Sequence, residues 1–112
     1  MTTNNHESAL ASIDMIRSFA PLDAYIPGTG DLPVPEFTDT IPYINELTRA
    51  YRAHKQPVIH IHEVHPAGTA HFSDKPDFKT TWPNHAEDGT DGALMHPGIE
   101  INTSYDLDFI KG

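Results

Sequence analysis

Residues 58–97, VIHIHEVHPAGTAHFSDKPDFKTTWPNHAEDGTDGALMHP, hold six of the chain's eight histidines. The run opens with strict alternation. As a strand, residues 58–64 would place Ile59, Ile61, Glu63 and His65 along one face, since side chains two apart share a side. A buried apolar line then ends in two metal-ligand types, while His60 and His62 fall on the other face in a structural role. Further along, His71 follows a Pro-Gly loop and His85 follows the Trp82-Pro83 pair. A divalent metal of borderline softness takes neutral imidazole nitrogens and a carboxylate, and keeps one position open when it does chemistry. Glu63, His65, His71 and His85 meet that demand as a set. Any one of these histidines alone reads more simply as a solvated loop residue of an acidic protein; the cluster, with a carboxylate at strand spacing, reads as a metal site.

What surrounds this run limits the partners. A chain of 112 residues forms one small domain rather than two. Its formal net charge is −9 with only 7 Lys and Arg, so a phosphate backbone would be repelled and nucleic acid is set aside. No stretch reaches the roughly eighteen apolar residues of a membrane span. The start, MTTNNHESAL, lacks the basic and apolar regions of a secretory signal, so a cytoplasmic location is expected. Cysteine is absent, which removes disulfides, thiolate ligands and any thiol nucleophile from these residues.

In chain order, residues 1–7 are polar and read as loose. Residues 8–16, SALASIDMI, read as a strand with Leu10, Ser12 and Asp14 on one face. An acid closing an apolar strand is more often a cap or turn residue than a catalytic one, and spacing alone leaves both open for Asp14. Residues 20–37 carry four prolines and two glycines, which defeats helix and central strand alike. A connection of that length is usually a binding loop. Its apolar members Leu22, Tyr25, Ile26 and Val34 either line a pocket or pin the loop down, the second being expected.

Residues 39–54 read as a helix. Asp39 or Thr40 can cap it, Pro42 suits the first turn, and Ile44, Leu47, Tyr51 and His54 form an apolar stripe expected to pack in the core. Strand, helix, strand is the βαβ pattern of a parallel sheet. After the loop-rich run, residues 105–112 alternate as a third strand, with Leu107, Phe109 and Lys111 on one face. Phe72 and Trp82 offer either a stacking wall for a flat substrate or a hydrophobic lid. The three strands thus finish in Asp14, in Glu63 with His65, and in Lys111. Ligands of open α/β sheets bind beyond the carboxyl ends of the strands, so one crevice can collect all of them.

These residues resemble the nicotinamidase and pyrazinamidase branch of the isochorismatase-like cysteine hydrolases. The strand-end aspartate of that family's opening motif falls on Asp14, with its aromatic residue on Phe19. The metal segment, acid-x-His-Pro and then His-Phe-Ser, falls on Glu63, His65, Pro66, His71, Phe72 and Ser73. Trp-Pro-x-His is Trp82, Pro83, Asn84 and His85, and the lysine before a glycine is Lys111 with Gly112. The resemblance implies a three-layer α/β fold with a mostly parallel open sheet, and residues 1–112 as the N-terminal part of a single such domain, a fragment or a truncated reading frame. It implies catalytic roles for Asp14 and Lys111, flanking of a substrate ring by Phe19 and Trp82, and one divalent ion, zinc before iron or manganese, on Glu63, His65, His71 and His85. The reaction implied converts nicotinamide or a related amide to the acid and ammonia.

The chain departs from the family pattern in three places. The metal acid, commonly aspartate, is Glu63. The glutamine usual two places after the first aspartate is Ile16. The nucleophilic cysteine lies outside the chain, so the partners expected are a small amide and either a second copy of the chain or a complementary chain carrying the cysteine. The alternative is a catalytically inactive metal-binding or interaction module derived from the same fold.

Overall fold

Val58, Ile59 and Ile61 are β-branched and favour extended backbone, and the segment they open becomes the middle strand of the sheet. The computed structural model describes residues 8–20, 32–34 and 36–112. Residues 1–7, and Leu22, Tyr25 and Ile26 of the proline-rich loop, lie outside the described residues. Within those described, the order is β1 (Leu10–Ile13), a 3-10 turn (Phe37–Thr40), α1 (Ile41–Ala53), β2 (Val58–Glu63), a 3-10 turn (Asp91–Ala93) and β3 (Leu107–Lys111). The strands lie in the order β1-β2-β3, both pairs parallel, so the open parallel α/β sheet expected from the sequence is present. All three carboxyl ends emerge on one edge. Among the described residues no helix is long and apolar enough to cross a membrane.

The register sorts the side chains into two unlike faces. Ser12, His60 and Asp108 share one row, and Ile13, Ile61 and Phe109 share the next, on the opposite face. Helix α1 lies against β1 and β2 on the side of Val58 and His60, each 1% exposed. On the other side Ile13 and Phe109 are more than half exposed.

Helix α1 begins close to the expected point, with Thr40 at the N-cap and Pro42 in the first turn. The Thr40 hydroxyl does not cap the helix; it donates back to the Phe37 carbonyl at 2.7 Å, closing the 3-10 turn. The end is a Schellman turn: Lys55 takes a left-handed φ of 57°, its N–H donates to Arg52 O, and the N–H of Gln56 donates to Tyr51 O. Pro57 then forbids continuation.

The buried face of α1 is not the apolar stripe predicted from the sequence. Ile41, Asn45 and Thr48 are buried, whereas Leu47 is 49% exposed and His54 is exposed. The reason is what the helix meets. Asn45 donates from Nδ2 to Gly98 O at 2.8 Å and accepts the Glu100 N–H at 2.9 Å, stitching α1 to the chain that leads into β3. Arg52 reaches the same chain, donating to Glu100 O and through two nitrogens to the Asp106 carboxylate at 2.9 and 2.6 Å. The apolar packing against α1 centres on a small cluster of Met15, Ile41 and Ile99, flanked by Phe37, Ile44 and Met95.

Asp106 collects this polar seam. Its side chain is 1% exposed, and besides Arg52 it accepts from His60 Nε2 at 2.8 Å and from the Asn102 N–H at 3.0 Å. His60 in turn meets the Ser12 hydroxyl at 2.8 Å, so β1, β2, α1 and the approach to β3 are joined through one buried histidine. His60 therefore serves the fold, as the alternation predicts.

Burial alone would raise the Asp106 carboxyl; the Arg52, Asn102 and His60 hydrogen bonds outweigh it and bring its pKa down to about 2. A carboxylate depressed in this way stabilises the fold fully above its unfolded value, near pH 4, and loses that contribution as pH falls through about 2, roughly 2 kcal/mol in all. Asp106→Ala also leaves Arg52 and His60 without their acceptor, for an expected loss of about 3–5 kcal/mol at neutral pH. Urea unfolding of the chain between about pH 2 and pH 7 checks both, since Asp106→Asn should flatten the acid limb of the wild-type stability profile.

Candidate metal centre

The end of β2, the turn after β1 and the returning loops build one cavity of about 420 Å³, lined by Phe19, Leu32, Glu63, His65, His71, Trp82 and His85. Glu63 is the last residue of β2, and the strand hands on through Val64, whose N–H donates to Lys111 O at 2.8 Å. His65 is then fixed by the chain returning beside it: its N–H donates to Ala86 O and its carbonyl accepts the Asp88 N–H, both at 2.8 Å. Ala86 is fully buried at a left-handed φ of 48°, and its N–H donates to the Ser18 hydroxyl at 2.7 Å. One residue thus ties the turn after β1, the end of β2 and the loop of His85 together.

Glu63, His65 and His85 bring one donor atom each to within 4.8 Å of one another. Glu63 Oε2 lies 3.3 Å from His65 Nε2 and 3.5 Å from His85 Nε2. The Pro83 carbonyl can only accept, so the 2.7 Å contact with His85 Nδ1 puts the ring proton there and leaves Nε2 as a lone-pair donor toward Glu63. Burial holds the His65 pKa below the ordinary histidine value; Glu63 opposes this, and His85 and His71 push it further down. Its imidazole is accordingly neutral at pH 7, as a ligand must be. Two imidazoles and a carboxylate with free space beside them fit a divalent ion with open coordination positions.

His71 stands in the same cavity with its ring centroid 4.8 Å from that of His65 and 6.3 Å from that of His85, outside the tight group of three. Phe72 is neither wall nor lid. It packs edge-to-face against His65, His71 and His85 at 5.6, 5.1 and 5.5 Å, bracing all three rings. Phe19 stands 6.0 Å from His85, and Trp82 completes the lining.

Asp14 arrives by an exception to strand geometry. Alternation would put it on the α1 face with Ser12, as expected from the sequence, but its φ of 60° breaks the pattern and its carboxylate turns to the other side. Oδ2 lies 3.1 Å from Lys111 Nζ, and Nζ lies 3.6 Å from Glu63 Oε1. The second oxygen, Oδ1, is buried without a partner among the described residues. Burial opposes the charge on Lys111, yet the hydrogen bond and charge of Asp14, then Glu63, hold its pKa above the ordinary lysine value. Asp14, Lys111, Glu63, His65 and His85 therefore form one continuous line of polar contacts.

Leu32 was not singled out by sequence reasoning. Its N–H donates to Ser18 O and that of Val34 to Phe19 O, so this short run lies along the turn after β1 and presents Leu32 to the cavity. An apolar residue before a proline in a proline-rich loop was its only signal. Ile16 is fully buried, bridges Met95 and does not line the cavity.

No curated protein matches the chain. Among solved structures it is similar to the pyrazinamidase of Pyrococcus horikoshii in complex with zinc, with 27% identity and a TM-score of 0.73 over 95% of this chain and 52% of that one. An isochorismatase family protein from Desulfovibrio vulgaris is 23% identical, with a TM-score of 0.66 over 96% of this chain and 53% of the other. The pyrazinamidase/nicotinamidase of Streptococcus mutans is 20% identical, with a TM-score of 0.65 over 92% and 55%. The last two show likeness of fold alone, and the chain spans about half the length of all three. Residues 8–107 match the isochorismatase domain, and the chain belongs to that family.

Proposed function

We propose that this chain is the acid- and metal-bearing part of a nicotinamidase-like amidohydrolase, one that converts nicotinamide or a related flat amide to the acid and ammonia. The observation that carries this reading is the unbroken line from Asp14 through Lys111 and Glu63 to His65 and His85, at the mouth of a cavity walled by Phe19, Leu32 and Trp82. A structural neighbour solved with zinc adds weight to zinc as the ion. Glu63, His65 and His85 would hold it, with His71 completing the set. When bound, the ion supplies a positive centre that fixes the ring nitrogen of the substrate.

The chain's own groups define the acid–base steps. Asp14 accepts the proton of a thiol through its unpartnered oxygen, and the Lys111 charge stabilises the resulting thiolate. The thiol comes from polypeptide outside these 112 residues, which contain no cysteine. Attack on the amide carbonyl forms the thioester, and the carbon–nitrogen bond breaks as Asp14 returns the proton to the leaving ammonia. Water, deprotonated by the same carboxylate, then releases the acid. Phe19, Leu32 and Trp82 keep bulk water from the ring and hold it flat. The observation favouring a catalytically silent metal-binding module is the missing cysteine, and the two readings separate by experiment.

Metal content and zinc titration of the chain should give about one ion per molecule, with Glu63→Ala and His65→Ala each weakening affinity by more than the about 10- to 100-fold that loss of a supporting contact costs. Equal affinity in wild type and both variants would remove the metal centre. Ammonia release from nicotinamide should be absent for the chain alone and appear when a cysteine-bearing remainder of the fold is supplied. Asp14→Asn should then lower kcat by about 100- to 10,000-fold without loss of the ion. A complemented protein that binds the ion and releases no ammonia is the silent module.

A further inference from the structure

The run 73–81 leaves the candidate centre and returns to it, and its base is the site itself. Trp82 N–H donates to His71 O at 2.8 Å and Ser73 N–H donates to Trp82 O at 2.9 Å, so a cavity-lining histidine and tryptophan are clamped backbone to backbone. The tip is closed by one carboxylate. Asp77 Oδ1 accepts the N–H groups of Lys79, Thr80 and Thr81 at 2.8, 2.8 and 2.9 Å, and Oδ2 accepts the Thr80 hydroxyl at 2.7 Å. The N–H of Asp77 donates to Thr81 Oγ1, and that of Phe78 to Thr81 O. The Lys79, Thr81 and Thr80 N–H groups hold the Asp77 carboxyl well below the usual carboxylate range, so the hub stays ionised at any working pH.

What this hub holds is unusual for a surface turn. Phe78 sits at φ 57°, a conformation that a side chain with a Cβ rarely adopts, and its ring is kept 55% exposed. Apolar burial therefore does not explain its position. The ring meets Trp82 edge-to-face, with centroids 5.9 Å apart and an interplanar angle of 84°. Strained backbone that the surroundings over-determine gathers where geometry matters for function. Here it fixes the only ring that abuts Trp82 among the described residues.

We propose that Phe78, locked in place by the Asp77 carboxylate, is a positioning residue that sets the orientation of the Trp82 indole in the cavity wall and thereby the fit of a flat aromatic amide. The ligand half of this statement rests on the amidohydrolase reading; the orientation of Trp82 does not. Phe78 acts through Trp82, and among the described residues its ring pairs with none of the candidate metal ligands, so it tunes ring recognition while leaving the ion alone.

Trp82 is the chain's single tryptophan, so intrinsic fluorescence reads this wall directly. Phe78→Asn suits the left-handed backbone but removes the ring, and Phe78→Tyr keeps the ring. In Phe78→Asn the emission should shift to the red and acrylamide quenching should rise, with Phe78→Tyr close to wild type and zinc affinity the same in all three. Nicotinamide binding, read by quenching of the same emission, should weaken about two- to tenfold in Phe78→Asn, the size that an edge-to-face aromatic pair carries. If Phe78→Asn unfolds the chain by circular dichroism, Phe78→Leu makes the same comparison with apolar bulk retained. Emission and quenching unchanged in the ring-less variant, or altered equally in Phe78→Tyr, overturn the proposal. A wild-type chain that binds zinc but whose emission ignores nicotinamide defeats the amidohydrolase reading instead, and leaves the Trp82 comparison to decide the role of Phe78.

Discussion

Glu63 faces Lys111 directly across the β2–β3 ladder, and the rest of the site is hung from that one register. Side chains in a strand alternate with period two, so a slip of β3 by a single residue would send Lys111 to the face opposite Glu63. The register is secured at the opposite end of the strand. Asp106, just before β3, is held by Arg52 from α1, by His60 from β2 and by the Asn102 N–H. A buried polar knot at one end of the sheet thus fixes the alignment of the charged groups at the other, although nothing in the knot touches the cavity.

The parts of this arrangement legible in the sequence are those written in local periodicity. The alternation VIHIHE gave the strand, its two faces and the separation of Glu63 from His60. Helix α1 was legible in extent because caps and prolines are local, but its buried face was not. Ile44, Leu47 and Tyr51 carry the apolar signal, and Ile44 does pack against the core, but Leu47 is exposed while Asn45 and Arg52 turn inward to meet carbonyls, a carboxylate and an N–H group of residues 98–106. Nothing within the helix announces a partner fifty residues away. Asp14 shows the same limit from another side, since one left-handed φ reverses the face that alternation assigns. The hub role of Ala86 left no trace at all, because its contribution lies in backbone groups and an alanine advertises neither.

The two sheet faces differ in a way that bears on what the chain does. Parallel sheets are stable with both faces covered, and here Ile13 and Phe109 stand more than half exposed on the face opposite α1. Strands β1 and β3 are both edges of the three-stranded sheet. The chain spans about half the length of its structural neighbours. In the amidohydrolase reading, the thiol has to approach Asp14 and Lys111 from this same side, where their side chains meet.

The length of Glu63 gives the site its particular character. An aspartate at the end of β2 would bring its carboxylate one methylene closer to the backbone. With glutamate the two oxygens are spread across the cavity mouth, Oε2 toward His65 and His85 and Oε1 toward Lys111. The carboxylate therefore belongs to two sets of contacts. Its charge favours the protonated form of His65, against the burial that keeps that ring neutral, and with Asp14 it holds Lys111 protonated. A bound cation would compete with Lys111 for the same negative charge, so the ammonium would lean further on Asp14 whenever the centre is filled. Glu63 thus joins the imidazole contacts to the ammonium contact in one polar line at the strand ends.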